Sequence, residues 1–168
     1  MLDINKLKIK IFADGADLKS ITELNNKKFI KGFTTNPSLM RKSGIEDYRG
    51  FALEVLKIVQ DKPISFEVFA DDVSEMEDQA LEISSWGINA NVKIPITNTK
   101  GKSTVNLIKN LSDKGIVCNV TAIFTLEQLN SVVEVLNPET SAILSVFAGR
   151  IADSGIDPLS TIKESVQL

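Results

Sequence analysis

The chain has 168 residues, a net charge of −3 and no histidine. That length fits one domain with a substantial core. The acidic balance lacks the basic footprint that nucleic acids and anionic membranes require, so neither is expected as a partner. Without imidazole there is no Ser-His-Asp triad, no Cys-His pair and no histidine-dependent zinc site, which leaves proton transfer to carboxylates, lysine, the one tyrosine and water.

Apolar runs are short and broken by charge, too short to span a bilayer. The opening Met1-Leu2-Asp3-Ile4-Asn5-Lys6 carries no signal-peptide core. The single cysteine, Cys118, has no internal partner for a disulfide. Together these features predict a cytoplasmic location.

In chain order, the predicted strands are Lys8–Ala13, Gly32–Thr35, Ile64–Ala70, Asn91–Ile96, Val117–Ala122 and Ala142–Ala148, each followed by an amphipathic helical stretch. Asn36-Pro37 reads as an N-cap with proline at N1. Ser74-Glu75-Met76-Glu77 reads as a capping box opening a helix that ends near Trp86-Gly87, and Thr125-Leu126-Glu127-Gln128 reads as another. Gly87 and Gly115 stand where helices are terminated by a left-handed residue. Asp157-Pro158 opens the last helix. Strands alternating with helices imply parallel pairing through right-handed crossovers. An open doubly wound sheet and a closed barrel both fit. The missing Gly-x-Gly-x-x-Gly turn weakens the nucleotide-binding version of the former.

Alternate residues of a strand face opposite sides. Val92 and Ile94 therefore share one face, and Asn91, Lys93 and Pro95 the other. Phe66 and Val68 oppose Ser65, Glu67 and Phe69. Cys118, Val120 and Ala122 oppose Asn119 and Thr121. Leu144 and Val146 oppose Ile143, Ser145 and Phe147. Asp14 is in phase with Phe12, and Asn36 with Thr34. Each strand thus has one apolar face and a polar residue near its C-terminal end on the other. If the sheet closes, Asp14, Asn36, Glu67, Lys93, Asn119, Thr121 and Ser145 meet at the C-terminal mouth, where barrel active sites lie. Taken singly, each has a plainer reading. A strand lysine discourages edge aggregation, Asn36 caps a helix, and Glu67 or Asp14 is a surface carboxylate. Agreement in phase along the whole chain points instead to a lysine serving as an amine nucleophile.

Five stretches carry a family resemblance along nearly the whole chain: Phe12-Ala13-Asp14-Gly15-Ala16-Asp17, Gly32-Phe33-Thr34-Thr35-Asn36-Pro37-Ser38, Val92-Lys93-Ile94-Pro95-Ile96-Thr97, Gly115-Ile116-Val117-Cys118-Asn119-Val120-Thr121 and Phe147-Ala148-Gly149-Arg150-Ile151. In this order and spacing the chain resembles the transaldolase and fructose-6-phosphate aldolase family. The resemblance implies an α/β fold of the (β/α)8 TIM-barrel type and a Schiff-base mechanism without metal or other cofactor. It implies Lys93 as the amine, Asp14 as the acid/base, and Glu67 with Thr121 as the pair holding the catalytic water. Asn36 and Asn119 look like partners of the bound three-carbon fragment, with Thr34 beside them. Ser145 and Phe147 look like pocket lining, and Arg150 like a phosphate clamp, a task that suits a planar guanidinium.

Glu67 together with Phe147 resembles transaldolases more than the related aldolases. The implied reaction moves a dihydroxyacetone unit between sugar phosphates in the pentose phosphate pathway. An aldolase releasing free dihydroxyacetone and a non-catalytic sugar-phosphate-binding partial barrel are the alternatives. Two departures stand out. Val146 occupies a position where the family usually has proline. The single domain, 1–168, ends after its sixth β/α unit, so strands seven and eight of an eight-unit barrel are expected to be missing. A fragment of a longer protein is the first explanation. A genuinely short product and cover from partner chains are the others. Open parallel edges favour a homo-oligomer.

Overall fold

The computed structural model describes Ile4 and residues 7–168. Met1, Leu2, Asp3, Asn5 and Lys6 lie outside the described residues, and with them most of the stretch read above for a signal peptide. The chain divides into two compact units. One runs to Glu67 and includes Glu82–Asn91. The other comprises Val68–Leu81 and Val92–Leu168.

In the first unit β1 (Ile11–Asp14), α1 (Leu18–Asn25), β2 (Ile30–Thr34), α2 (Pro37–Lys42), α3 (Tyr48–Ile58) and β3 (Ile64–Glu67) follow one another. β1 pairs with β2 and β2 with β3, both in parallel, with Asp14 beside Thr34 and Thr34 beside Ser65. Short acidic caps start two of the helices. Asp17 accepts from the Ser20 amide and Asp47 from the Gly50 amide, both at 2.8 Å. Each satisfies an amide that has no partner within its helix. Apolar side chains facing the helices form the core, with Phe33, Ala52, Val55, Val59, Ile64 and Phe66 almost fully buried. Asn89 ties the turn after α3 by donating to the carbonyls of Val59 (2.7 Å) and Lys62 (2.9 Å).

The second unit takes most of α4 (Val73–Ser84) and β4 (Ala90–Pro95). It continues through α5 (Val105–Asp113), β5 (Cys118–Ile123), α6 (Leu126–Val133), β6 (Ala142–Val146), α7 (Ala148–Asp153) and α8 (Leu159–Ser165). β4–β5 and β5–β6 are again parallel. In both units strand order follows chain order and a helix follows each strand. This is the fold class of the (β/α)8 TIM barrel, with six β/α units in this chain.

Several local expectations are realised and several are corrected. Thr125 and Gln128 form the expected capping box. Gly115, at φ +77°, ends α5, with Ile116 donating to Leu111 and Gly115 to Ser112. At α4, Asp72 takes the role read for Ser74. Its carboxylate accepts from the Ser74 amide (2.9 Å) and hydroxyl (2.6 Å), because Ser74 already lies within the first turn. Gly87 does not terminate that helix, which ends at Ser84. Gly87 has no left-handed backbone and instead lets Leu56 approach. The last helix starts one residue later than read: Pro158 is its cap residue, while Asp157 accepts from the Leu159 amide at 2.9 Å. The first strand begins at Ile11 rather than Lys8.

Phe12 lies beside Gly32 in the β1–β2 register, and a Cβ on residue 32 would overlap the Phe12 ring. Gly32→Ala is expected to destabilise the protein by about 1–3 kcal/mol in urea unfolding, as overpacking does. Adding Phe12→Leu should recover part of that loss. A Gly32→Ala protein as stable as the parent would show that the ring yields freely.

Candidate active site

Asp14 ends β1 and is exposed. Thr34, its neighbour in register, donates its hydroxyl to Asp14 Oδ1 at 2.8 Å. Asn36 is the cap of α2, with Oδ1 accepting from the Leu39 amide at 3.0 Å and Pro37 at N1. The plainer reading of Asn36 therefore accounts for its oxygen, and only the amide nitrogen is left for other work. Glu67 is the half-buried last residue of β3, and its carbonyl accepts from the Tyr48 hydroxyl at 2.9 Å.

In the second unit Lys93 occupies the middle of β4 and is only 8% exposed, between Val92 and Ile94, which are wholly buried. Its register partner on β5 is Asn119, also buried. Ser145 of β6 donates to Asn119 Oδ1 at 2.8 Å. Lys93, Asn119 and Ser145 thus stand on three successive strands, joined by register and a hydrogen bond. Thr121 pairs with Pro95, and its buried hydroxyl has no hydrogen-bond partner among the described residues. A buried polar group without a partner costs about 1–3 kcal/mol and calls for an explanation.

The alternation read for this strand breaks immediately after Thr121. The β5–β6 register shifts between Val120 and Ile123, and Ala122 adopts φ +58°. A left-handed alanine stores strain of about 1–3 kcal/mol, and such bulges occur beside active sites. Ala122 is therefore not a continuation of the Cys118–Val120 face. Cys118 stays on that face, where burial pushes its thiol up to about 12. That makes it a core side chain rather than a nucleophile.

Phe147 follows β6, with its amide donating to Ile123 O at 2.8 Å and its ring edge-on to Phe124 at 5.8 Å between centroids. Arg150 lies on α7, exposed, and pairs with Asp153 at 3.2 Å. An exposed pair of this kind holds a side chain weakly. The loop after β4 is firmly built. Asp71 accepts from the Thr99 amide and hydroxyl, each at 2.7 Å, and Asn98 Oδ1 accepts from the amides of Lys100 and Lys102. Among the described residues no three His, Cys, Asp or Glu gather as a metal site. No helix among them is long and apolar enough to cross a membrane.

Strand alternation in the sequence passes over Tyr48 and Asp71 and misplaces Ala122 on the Cys118–Val120 face. Tyr48 had one usable signal, as the only tyrosine in the chain.

The family model described as transaldolase/fructose-6-phosphate aldolase matches residues 11–168. The chain belongs to that family. Relatives of this transaldolase-family chain include three proteins named "Probable transaldolase". The one from Dehalococcoides mccartyi is 32% identical over 95% of this chain and 70% of its own length. The one from Streptococcus agalactiae is 36% identical over 93% and 68%. The one from Syntrophomonas wolfei is 35% identical over 95% and 70%. The family is one of transaldolase-type enzymes, transferases or lyases by reaction class.

Two outcomes are expected. Thr121→Val removes an unpartnered hydroxyl with little change in shape, so thermal stability should hold or rise. A loss above about 1 kcal/mol would mean the hydroxyl is paired in solution. Asp71 lies below its ordinary value of 3.8, chiefly through the Thr99 amide and then its hydroxyl. A depressed carboxylate stabilises above its unfolded value and loses that contribution as pH falls through its folded value. Protection of the Thr99 amide, measured by hydrogen exchange with the intrinsic rate removed, should hold from neutrality to about 3.8 and fall below it.

Proposed function

We propose that the chain is a transaldolase that carries a dihydroxyacetone unit as a Schiff base on Lys93. The proposed reaction moves that unit from sedoheptulose 7-phosphate to glyceraldehyde 3-phosphate. It yields erythrose 4-phosphate and fructose 6-phosphate, a step of the pentose phosphate pathway. The observation that carries this reading is Lys93 itself. Lysine is rarely buried, and here it sits at 8% exposure within an apolar strand of a transaldolase-family chain.

The Lys93 amine adds to the ketose carbonyl, and the carbinolamine loses water to give a protonated imine. Asp14 takes the hydroxyl proton next to the bond to be cleaved. The carbon–carbon bond breaks, its electron pair enters the imine, and the departing aldose leaves an enamine. The enamine then attacks the acceptor aldehyde, the proton returns, and water releases the product from Lys93. Glu67 and Thr121 hold and activate the water of imine formation and hydrolysis. The Thr121 hydroxyl, buried and without a described partner, suits that task. Asn119, oriented by Ser145, and the amide nitrogen of Asn36 bind the three-carbon fragment, with Thr34 steadying Asp14. Phe147 lines the pocket. Arg150 binds phosphate, exchanging a weak surface pair with Asp153 for a bidentate anion. The proposed setting is a cytoplasmic homo-oligomer.

The family model names two activities, so an aldolase releasing free dihydroxyacetone is the second reading. Borohydride reduction with fructose 6-phosphate should leave a stable adduct on the peptide carrying Lys93, and Lys93→Met should leave none. Absence of an adduct at Lys93 in the unaltered protein would sink the Schiff-base reading. Product formation measured with and without an aldose acceptor separates the two activities, because only the aldolase turns over without one.

A further inference from the structure

Parallel pairing obliges β3 to find a donor for each carbonyl turned toward β2. The Phe33 amide serves Pro63 O at 2.9 Å, and the Thr35 amide serves Ser65 O at 3.1 Å. Two residues further on, the ladder would use the amide of residue 37 for the carbonyl of Glu67. Residue 37 is proline, which has no N–H, and the chain has already turned into α2. The Tyr48 hydroxyl takes the place of that donor, at 2.9 Å from Glu67 O.

Its ring is held edge-on to Trp86 at 5.3 Å and 87°, and to Phe66 at 6.2 Å and 69°. Phe66 and Trp86 meet each other at 5.6 Å. The three rings pack together, with Phe66 on the face opposite Ser65 and Glu67, and only the Tyr48 hydroxyl reaches the Glu67 peptide. Burial, with the Glu67 charge second, holds the Tyr48 phenol far above its usual range. It therefore remains a donor at every working pH.

We propose that Tyr48 is a positioning residue: by supplying the ladder donor that Pro37 cannot, it sets the backbone at Glu67 and so aims the Glu67 carboxylate. The proposal rests on the role given to Glu67 above. It makes the asparagine-proline step after β2 and the lone tyrosine after α2 two parts of one device.

Tyr48→Phe keeps the ring and removes only the hydroxyl. The readout is the rate of imine formation with fructose 6-phosphate, from timed borohydride quenching and mass analysis of the Lys93 peptide, across pH. Tyr48→Phe should slow imine formation about tenfold, within the range that small misplacements produce, with the final adduct yield unchanged. The pH limb that Glu67→Gln abolishes should be displaced. In the Glu67→Gln background, Tyr48→Phe should change the rate by less than about twofold, because residues acting through one another are not additive. Trp86→Phe, which loosens the packing but keeps the hydroxyl, should lower the melting temperature while leaving the rate near that of the parent.

A parent-like rate in Tyr48→Phe overturns the proposal. So does a tenfold loss that persists in full when Glu67 is already glutamine, or a Trp86→Phe protein slowed as much as Tyr48→Phe. If the unaltered protein forms no Lys93 adduct, the Schiff-base reading falls and this proposal falls with it. An adduct at full rate in Tyr48→Phe removes this proposal alone.

Discussion

Parallel strand pairing is the constraint on which everything else in this chain depends. It imposes a two-residue period, so each strand must offer one face to the helices and one to its own side of the sheet. Phe66, Val92, Ile94 and Val120 satisfy the first demand by complete burial. The second face is where Lys93, Asn119, Thr121 and Ser145 become possible at all. A lysine on the helix-facing side would displace core volume, whereas on this side it stands beside Asn119 in register.

Parallel ladders are strained at their ends, where strand gives way to loop and backbone groups lose their partners. The chain meets that problem differently at each end. After β3 a tyrosine hydroxyl replaces a missing amide. In β5 the ladder shifts register and a left-handed alanine absorbs the irregularity beside Thr121. After β4 a carboxylate grips both the amide and the hydroxyl of Thr99. After α5 a glycine closes the helix and delivers the chain to β5. The first three of these devices sit at or near the C-terminal ends of their strands, where side chains proposed to do chemistry emerge.

Stability and the proposed chemistry pull apart at Thr121. A buried, unpartnered threonine hydroxyl costs free energy that an apolar residue would not, whereas a buried asparagine is compensated by its hydrogen bond from Ser145. The surrounding core offsets that cost, with Lys93 on β4 and both Asn119 and Thr121 on β5. The Thr121 hydroxyl separates folding from the proposed chemistry more cleanly than its neighbours, because nothing in the described fold uses it.

Much of this was legible in the sequence because it is local and periodic. The order of strands and helices, the parity of Lys93, Asn119 and Thr121, the Thr125 capping box and the Gly115 terminator all depend on residues a few positions apart, and the family followed from five short stretches in order. What only the tertiary structure decided depends on partners distant in sequence. Tyr48 and Glu67 are 19 residues apart and Asp71 and Thr99 are 28 apart, so no local pattern marks either pair. The break at Ala122 arises from matching β5 to β6, which the alternation within β5 does not foretell. Asp72 displaced Ser74 as a cap because helix starts depend on where packing begins the first turn. Periodicity is written residue by residue, but the accounting of hydrogen bonds at strand ends is completed only when distant segments arrive beside one another.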